Sequence, residues 1–181
     1  MRSRIFILAA LLVCGTELAC VGSLHAGLFS PARFKLATGT LAALSATPGA
    51  ISFQATNPSF GLVSGSSPGS ITWTSVNLLA RPNWTLSLQA GSTSFVGCPT
   101  IPVSAIQVNC GTTTVSGAGT GTGACGGSFP LSTTVQQIAG GAQGIGANSY
   151  SVSLNFTLAE SWRYVASSAC TVTITYFVDA P

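Results

Sequence analysis

The chain has 181 residues, 46% of them hydrophobic and only 5% charged, with a formal net charge of +3. That length allows one domain with a substantial core. A charged fraction so far below the roughly 25% of ordinary globular domains excludes the basic patch that nucleic acid needs and leaves few groups for acid–base catalysis.

Arg2 and Arg4 precede an unbroken apolar run from Ile5 to Val13, and a looser stretch continues to Ala26. The run is shorter than the roughly 20 residues of a membrane-spanning helix. Residues 1–26 therefore read as a secretory signal peptide, with cleavage expected after Leu24-His25-Ala26. Ala19-Cys20 offers a lipoprotein-type alternative, although Glu17 is an awkward residue just upstream of a lipidated Cys. No second long apolar stretch follows, so the exported domain, residues 27–181, is expected to carry no transmembrane segment. Without the leader, Arg33, Lys35, Arg81 and Arg163 stand against Glu160 and Asp179, four positive less two negative, or +2. No His remains, because His25 leaves with the leader.

Period-two alternation dominates the rest of the chain. Leu36 to Ala46 reads as a strand despite its Ala and Leu content. Ile51, Phe53 and Ala55 make a short alternating segment, and Ile71 to Leu78 a longer one whose phase shifts near Ser75-Val76, suggesting a bulge. Trp84, Leu86, Leu88 and Ala90 share one face of the next strand. Tyr150, Val152, Leu154, Phe156 and Leu158 share a face of another, and Cys170, Val172, Ile174, Tyr176 and Val178 a face of the last. Pro48-Gly49, Asn57-Pro58, Ser67-Pro68-Gly69 and Arg81-Pro82-Asn83 read as turns. The Gly-rich stretches Gly111–Gly127 and Ala139–Ala147 read as long surface loops. The pattern predicts one all-β domain, an antiparallel β-sandwich of the Ig-like or Greek-key type with seven to ten strands.

Cys14 and Cys20 belong to the leader, which leaves Cys98, Cys110, Cys125 and Cys170. An even number in an exported chain predicts two disulfides. Of the three pairings, Cys98–Cys110 with Cys125–Cys170 is favoured, because the first would close a short loop between neighbouring strands. The absence of a CxxC spacing argues against a thiolate metal site.

Chemistry has little to draw on. A Ser–His–Asp triad needs a His. A Ser–Lys dyad would have to use Lys35 near the mature N-terminus, and a glycosidase pair would have to use Glu160 and Asp179, the latter almost at the chain end. Gly117-Ala118-Gly119-Thr120-Gly121-Thr122-Gly123 lacks the Lys and the following helix of a phosphate loop. Calcium would want clustered carboxylates. Asn83-Trp84-Thr85 and Asn155-Phe156-Thr157 match the N-glycosylation pattern, which matters only in a eukaryotic host. No enzyme activity and no cofactor are expected. Trp73, Trp84, Trp162 and Tyr164 are candidates for a sugar-stacking platform. Trp73 and Trp84 run in phase with aliphatic neighbours and read first as core, whereas Trp162 and Tyr164 flank Arg163 in a turn, where binding residues are common.

Ile71-Thr72-Trp73-Thr74, then Asn83-Trp84-Thr85-Leu86-Ser87-Leu88-Gln89-Ala90 and Phe95, resembles the first block of the WxL domain. Thr173-Ile174-Thr175-Tyr176-Phe177-Val178-Asp179-Ala180-Pro181 resembles its second, closing block. The resemblance assigns Trp84 and Leu86 to the first motif and Tyr176 and Val178 to the second, where the family has Trp and Leu. The four cysteines lie outside the pattern. WxL proteins are bacterial, exported and attached non-covalently to the cell wall through peptidoglycan. The resemblance implies a secreted cell-surface protein whose partners are wall polysaccharide or other surface proteins. The architecture more loosely resembles pilin or spore-coat-type subunits, in which an N-terminal strand, here within residues 27–47, completes a neighbour's sheet and makes a homo-oligomer.

Overall fold

The computed structural model describes residues 25–30, 35–36, 41–54, 61–77, 83–119, 121–159, 161, 164 and 170–180. Its first eight strands are β1 (His25–Ser30), β2 (Lys35–Leu36), β3 (Leu41–Thr47), β4 (Phe53–Gln54), β5 (Leu62–Ser64), β6 (Gly69–Asn77), β7 (Asn83–Ala90) and β8 (Ser94–Phe95). The others are β9 (Cys98–Pro102), β10 (Ile106–Gly117), β11 (Ala124–Cys125), β12 (Ser128–Pro130), β13 (Gln136–Ala142), β14 (Gly146–Ala159) and β15 (Cys170–Asp179). One 3-10 turn spans Val103–Ala105. The expected leader lies outside the described residues except for His25 and Ala26, which open β1.

The fold is all-β and disulfide-stapled, as the alternation predicts. A seven-stranded sheet runs β11-β13-β7-β15-β1-β4 with β2 beside β15. A six-stranded sheet runs β12-β10-β14-β6-β3 with β5 beside β14, and β8 and β9 form a separate ribbon. There are more strands than expected because β2, β5, β8, β11 and β12 are two- or three-residue pieces that periodicity does not resolve. Pairing is antiparallel except where β1 and β2 run parallel to β15.

The core follows from the period of two. Side chains at alternate positions point to one face, so β7 buries Trp84, Leu86, Leu88 and Ala90, and β14 buries Tyr150, Val152, Leu154, Phe156 and Leu158. β15 buries Cys170, Val172, Ile174, Tyr176 and Val178. The two sheets meet at three aromatic rings. Trp73 of β6 stacks on Tyr150 of β14 at 5.1 Å, and Trp84 of β7 meets both edge-on, at 5.1 Å and 5.9 Å.

Three local expectations are corrected. No bulge interrupts β6 against β14, whose register runs unbroken from Gly69 to Asn77. Instead the strand keeps its phase, turns Ser75 and Asn77 inward and leaves Val76 outside. The inward amide is satisfied: Asn77 Nδ2 donates to Gln143 Oε1 at 3.1 Å, to the Gly144 carbonyl at 3.3 Å and to Ser75 Oγ at 3.3 Å. The phase change falls in β10, where the register against β14 shifts between Cys110 and Thr112. Inward positions there pass from Ile106, Val108 and Cys110 to Val115.

The Gly-rich stretches are largely strand, not loop: they contain the end of β10, β11, the end of β13 and the start of β14. Glycine serves close backbone approach there. A Cβ on Gly141 would strike the Thr122 carbonyl, and Gly117 has φ +137°, which favours glycine.

The disulfides pair as Cys98–Cys170 and Cys110–Cys125, with Cα separations of 5.3 and 5.4 Å, not as Cys98–Cys110 and Cys125–Cys170. Pairing follows spatial neighbours, not sequence order. Val96 and Thr171 exchange backbone hydrogen bonds of 2.7 and 3.0 Å, which brings the start of β9 against Cys170.

Candidate binding surface

The four residues that carry the WxL resemblance lie in two neighbouring strands. β7 and β15 are paired antiparallel, with Leu86 opposite Val178 and Leu88 opposite Tyr176. All four point into the core: Trp84 is 1% exposed, Leu86 0%, Tyr176 8% and Val178 1%. They shape the sandwich from inside and offer little surface to a ligand. The Trp84 indole N–H donates to the Thr122 carbonyl at 2.9 Å, pinning the segment before β11 over the aromatic cluster. Burial holds the Tyr176 phenol well above its ordinary pKa, because the phenolate would lose its hydration.

Of the four sugar-stacking candidates the described residues include three, Trp73, Trp84 and Tyr164. Trp73 and Trp84 are core residues, and Trp162 lies outside the described residues. Tyr164 is half-buried against the core, with its backbone N–H donating to the Ser161 carbonyl at 3.0 Å. Among the described residues no cluster of three or more His, Cys, Asp or Glu could hold a metal, and no helix is long and apolar enough to cross a membrane.

The outer face of the six-stranded sheet was not singled out by sequence reading. Its register aligns hydroxyls in rows across neighbouring strands. One row is Thr112, Ser153, Ser70 and Thr47, and the next is Thr114, Ser151, Thr72 and Ser45. A third is Ser116, Ser149 and Thr74. Thr112, Thr114, Ser116 and Ser149 are exposed. Ser45 and Thr72 share a 2.7 Å hydrogen bond, and Ser70 and Ser151 a long one of 3.5 Å. Thr72, Thr74, Thr114, Ser116, Ser149 and Ser151, together with Trp73 and Tyr150, line a shallow open depression of about 310 Å³. None of the six strands contains Asp, Glu, Lys, Arg or His. The polar half of each alternation was visible in the sequence, but the alignment of these halves across strands requires the register.

Comparison with protein-family profiles, with curated proteins and with solved structures finds no match.

Proposed function

We propose that the protein is an exported bacterial surface protein that binds cell-wall glycan, with peptidoglycan as target, and performs no catalysis. The observation that supports this reading is the juxtaposition of the two WxL-like blocks. They stand about ninety residues apart in the sequence, yet β7 and β15 are direct partners at the centre of one sheet. The buried Cys98–Cys170 bridge suits an oxidising, extracytoplasmic setting. The test is co-sedimentation of the oxidised, purified protein with bacterial sacculi, with size-exclusion chromatography of the input to exclude self-aggregation. Pelleting that depends on sacculi is expected. A supernatant that retains all the protein sinks the reading.

A second reading, a structural subunit that assembles by strand exchange, is favoured by the placement of β1. The part of that strand that stays after the expected cleavage pairs in parallel with β15, Phe29 with Val172 and Ser30 with Thr173, although the pairing is otherwise antiparallel outside β1 and β2. No tight hairpin ties it to β15, so a second copy could supply it. This reading predicts concentration-dependent oligomers that vanish when residues 27–47 are deleted. A chain that stays monomeric at every concentration rules it out.

A further inference from the structure

We infer that the hydroxyl rows on the outer face of the six-stranded sheet are a binding surface for the uncharged backbone of an N-acetylated glycan. The inference rests on the wall-binding reading and names the surface that would carry it.

The geometry is regular. Outward side chains two residues apart on one strand lie about 6.7 Å apart, and neighbouring strands about 4.8 Å apart. The three rows therefore form a lattice of hydroxyls on β6, β14 and β10, which Ser45 and Thr47 extend onto β3 in two of the rows. Sheet twist of roughly 20–25° per strand limits a straight contact to about three strands. The depression lies over just such a set, β6, β14 and β10. Its openness to solvent suits an extended chain laid across the strands and not an enclosed small molecule.

The chemistry selects the occupant. Each Ser or Thr hydroxyl both donates and accepts, which matches sugar hydroxyls and acetamido groups. Within the six strands an ionic ligand finds no counter-charge. Beyond the third row the outward positions turn apolar, with Val76 opposite Ala147 and Ile145 just before β14. Val76 is 59% and Ile145 50% exposed. That edge gives acetamido methyls and sugar C–H faces a place to pack.

Solvation alone explains these three rows less well than the rest of the same face, where Asn109 lies opposite Asn155 and Gln107 opposite Thr157. A merely wet face accepts amides, charges and hydroxyls alike. The outer face of the other sheet is such a mixture: Thr85 faces Asp179, Ser87 faces Phe177 and Gln89 faces Thr175. In the three rows every outward position is Ser or Thr on β6, β14 and β10. These side chains are short, and Thr is stiff at χ1, so little freedom is lost on contact.

The experiment measures retention of the full, oxidised protein on two insoluble probes, intact sacculi and chitin, a neutral polymer of N-acetylglucosamine. The main variant, Thr72→Val with Thr114→Val and Ser151→Ala, removes the hydroxyls of the second row on β6, β14 and β10 while preserving shape and strand propensity. The milder pair Ser116→Ala with Ser149→Ala, both at exposed positions, serves if the first does not fold. Ser87→Ala with Thr175→Val on the opposite sheet is the control. Wild type and control should bind both probes, and the row variants at least tenfold more weakly at unchanged melting temperature. Equal retention of wild type and row variants overturns the surface and leaves wall binding standing. Retention on sacculi but not on chitin overturns recognition of the neutral backbone. Retention on chitin alone, lost in the row variants, sinks the wall reading and keeps the surface as a glycan site. Failure of the wild type on both probes removes both proposals.

Discussion

Trp84 illustrates what a single residue can disclose. Its phase with Leu86 and Leu88 marks it as a core residue, and the structure places it there, against Trp73 and Tyr150. Its hydrogen bond to the Thr122 carbonyl was not legible, since nothing local to either residue reports a contact 38 positions away. Tyr176 carries a consequence for stability. Burial raises its folded pKa above the ordinary value near 10, so between the two values the folded state holds a proton that the unfolded state has released. The unfolded state binds fewer protons there, and stability must fall as pH rises. Below pH about 10 the Tyr176 contribution is constant. Above it, stability should drop by up to about 1.4 kcal/mol per pH unit. Urea denaturation between pH 8 and 11 checks this, with Tyr176→Phe as reference. The variant should show a flatter decline, and identical slopes in both proteins exclude Tyr176 as the source.

At the scale of elements, strands were legible wherever apolar and polar residues alternate, because one face meets the other sheet and the other meets water. β7, β14 and β15 are of this kind. The reading failed where the inward face is polar or glycine-rich. Ser75 and Asn77 resemble a slip in phase, yet they are inward residues: the Asn77 amide donates to Ser75 and to Gln143 and Gly144 of the connection between β13 and β14. The real slip, between Cys110 and Thr112 in β10, hides in a run of Thr and Gly that has no hydrophobic contrast to reveal it. Glycine misleads for a related reason. In β13 it permits close backbone packing, a use that composition cannot distinguish from a flexible loop. The hydroxyl rows were half legible: each strand shows its own polar face, but only register aligns Thr114, Ser151 and Thr72.

Over the whole molecule the two disulfides hold different things together. Cys98–Cys170 joins the β8–β9 ribbon to β15, with both cysteines fully buried. Cys110–Cys125 joins β10 of the six-stranded sheet to β11 at the edge of the seven-stranded sheet, and Cys125 is exposed. The sequence separations are 72 and 15. Loop-closure entropy alone then assigns about 4 kcal/mol to the first bridge and about 3 kcal/mol to the second. Removing Cys98 and Cys170 also leaves a void among packed side chains, which widens the difference. Access works in the same direction, since thiol exchange requires a reductant to reach a sulfur. Mild reduction of the native protein should therefore open Cys110–Cys125 first, giving a folded species with two free thiols. Alkylation followed by mass spectrometry identifies which cysteines are labelled, and urea denaturation of Cys98→Ala/Cys170→Ala and Cys110→Ala/Cys125→Ala ranks the two bridges. Early labelling of Cys98 and Cys170 would mean that the ribbon detaches from β15 before the sheets lose their edge staple. The buried bridge would then guard a separable flap, and the larger loss of stability on its removal should disappear.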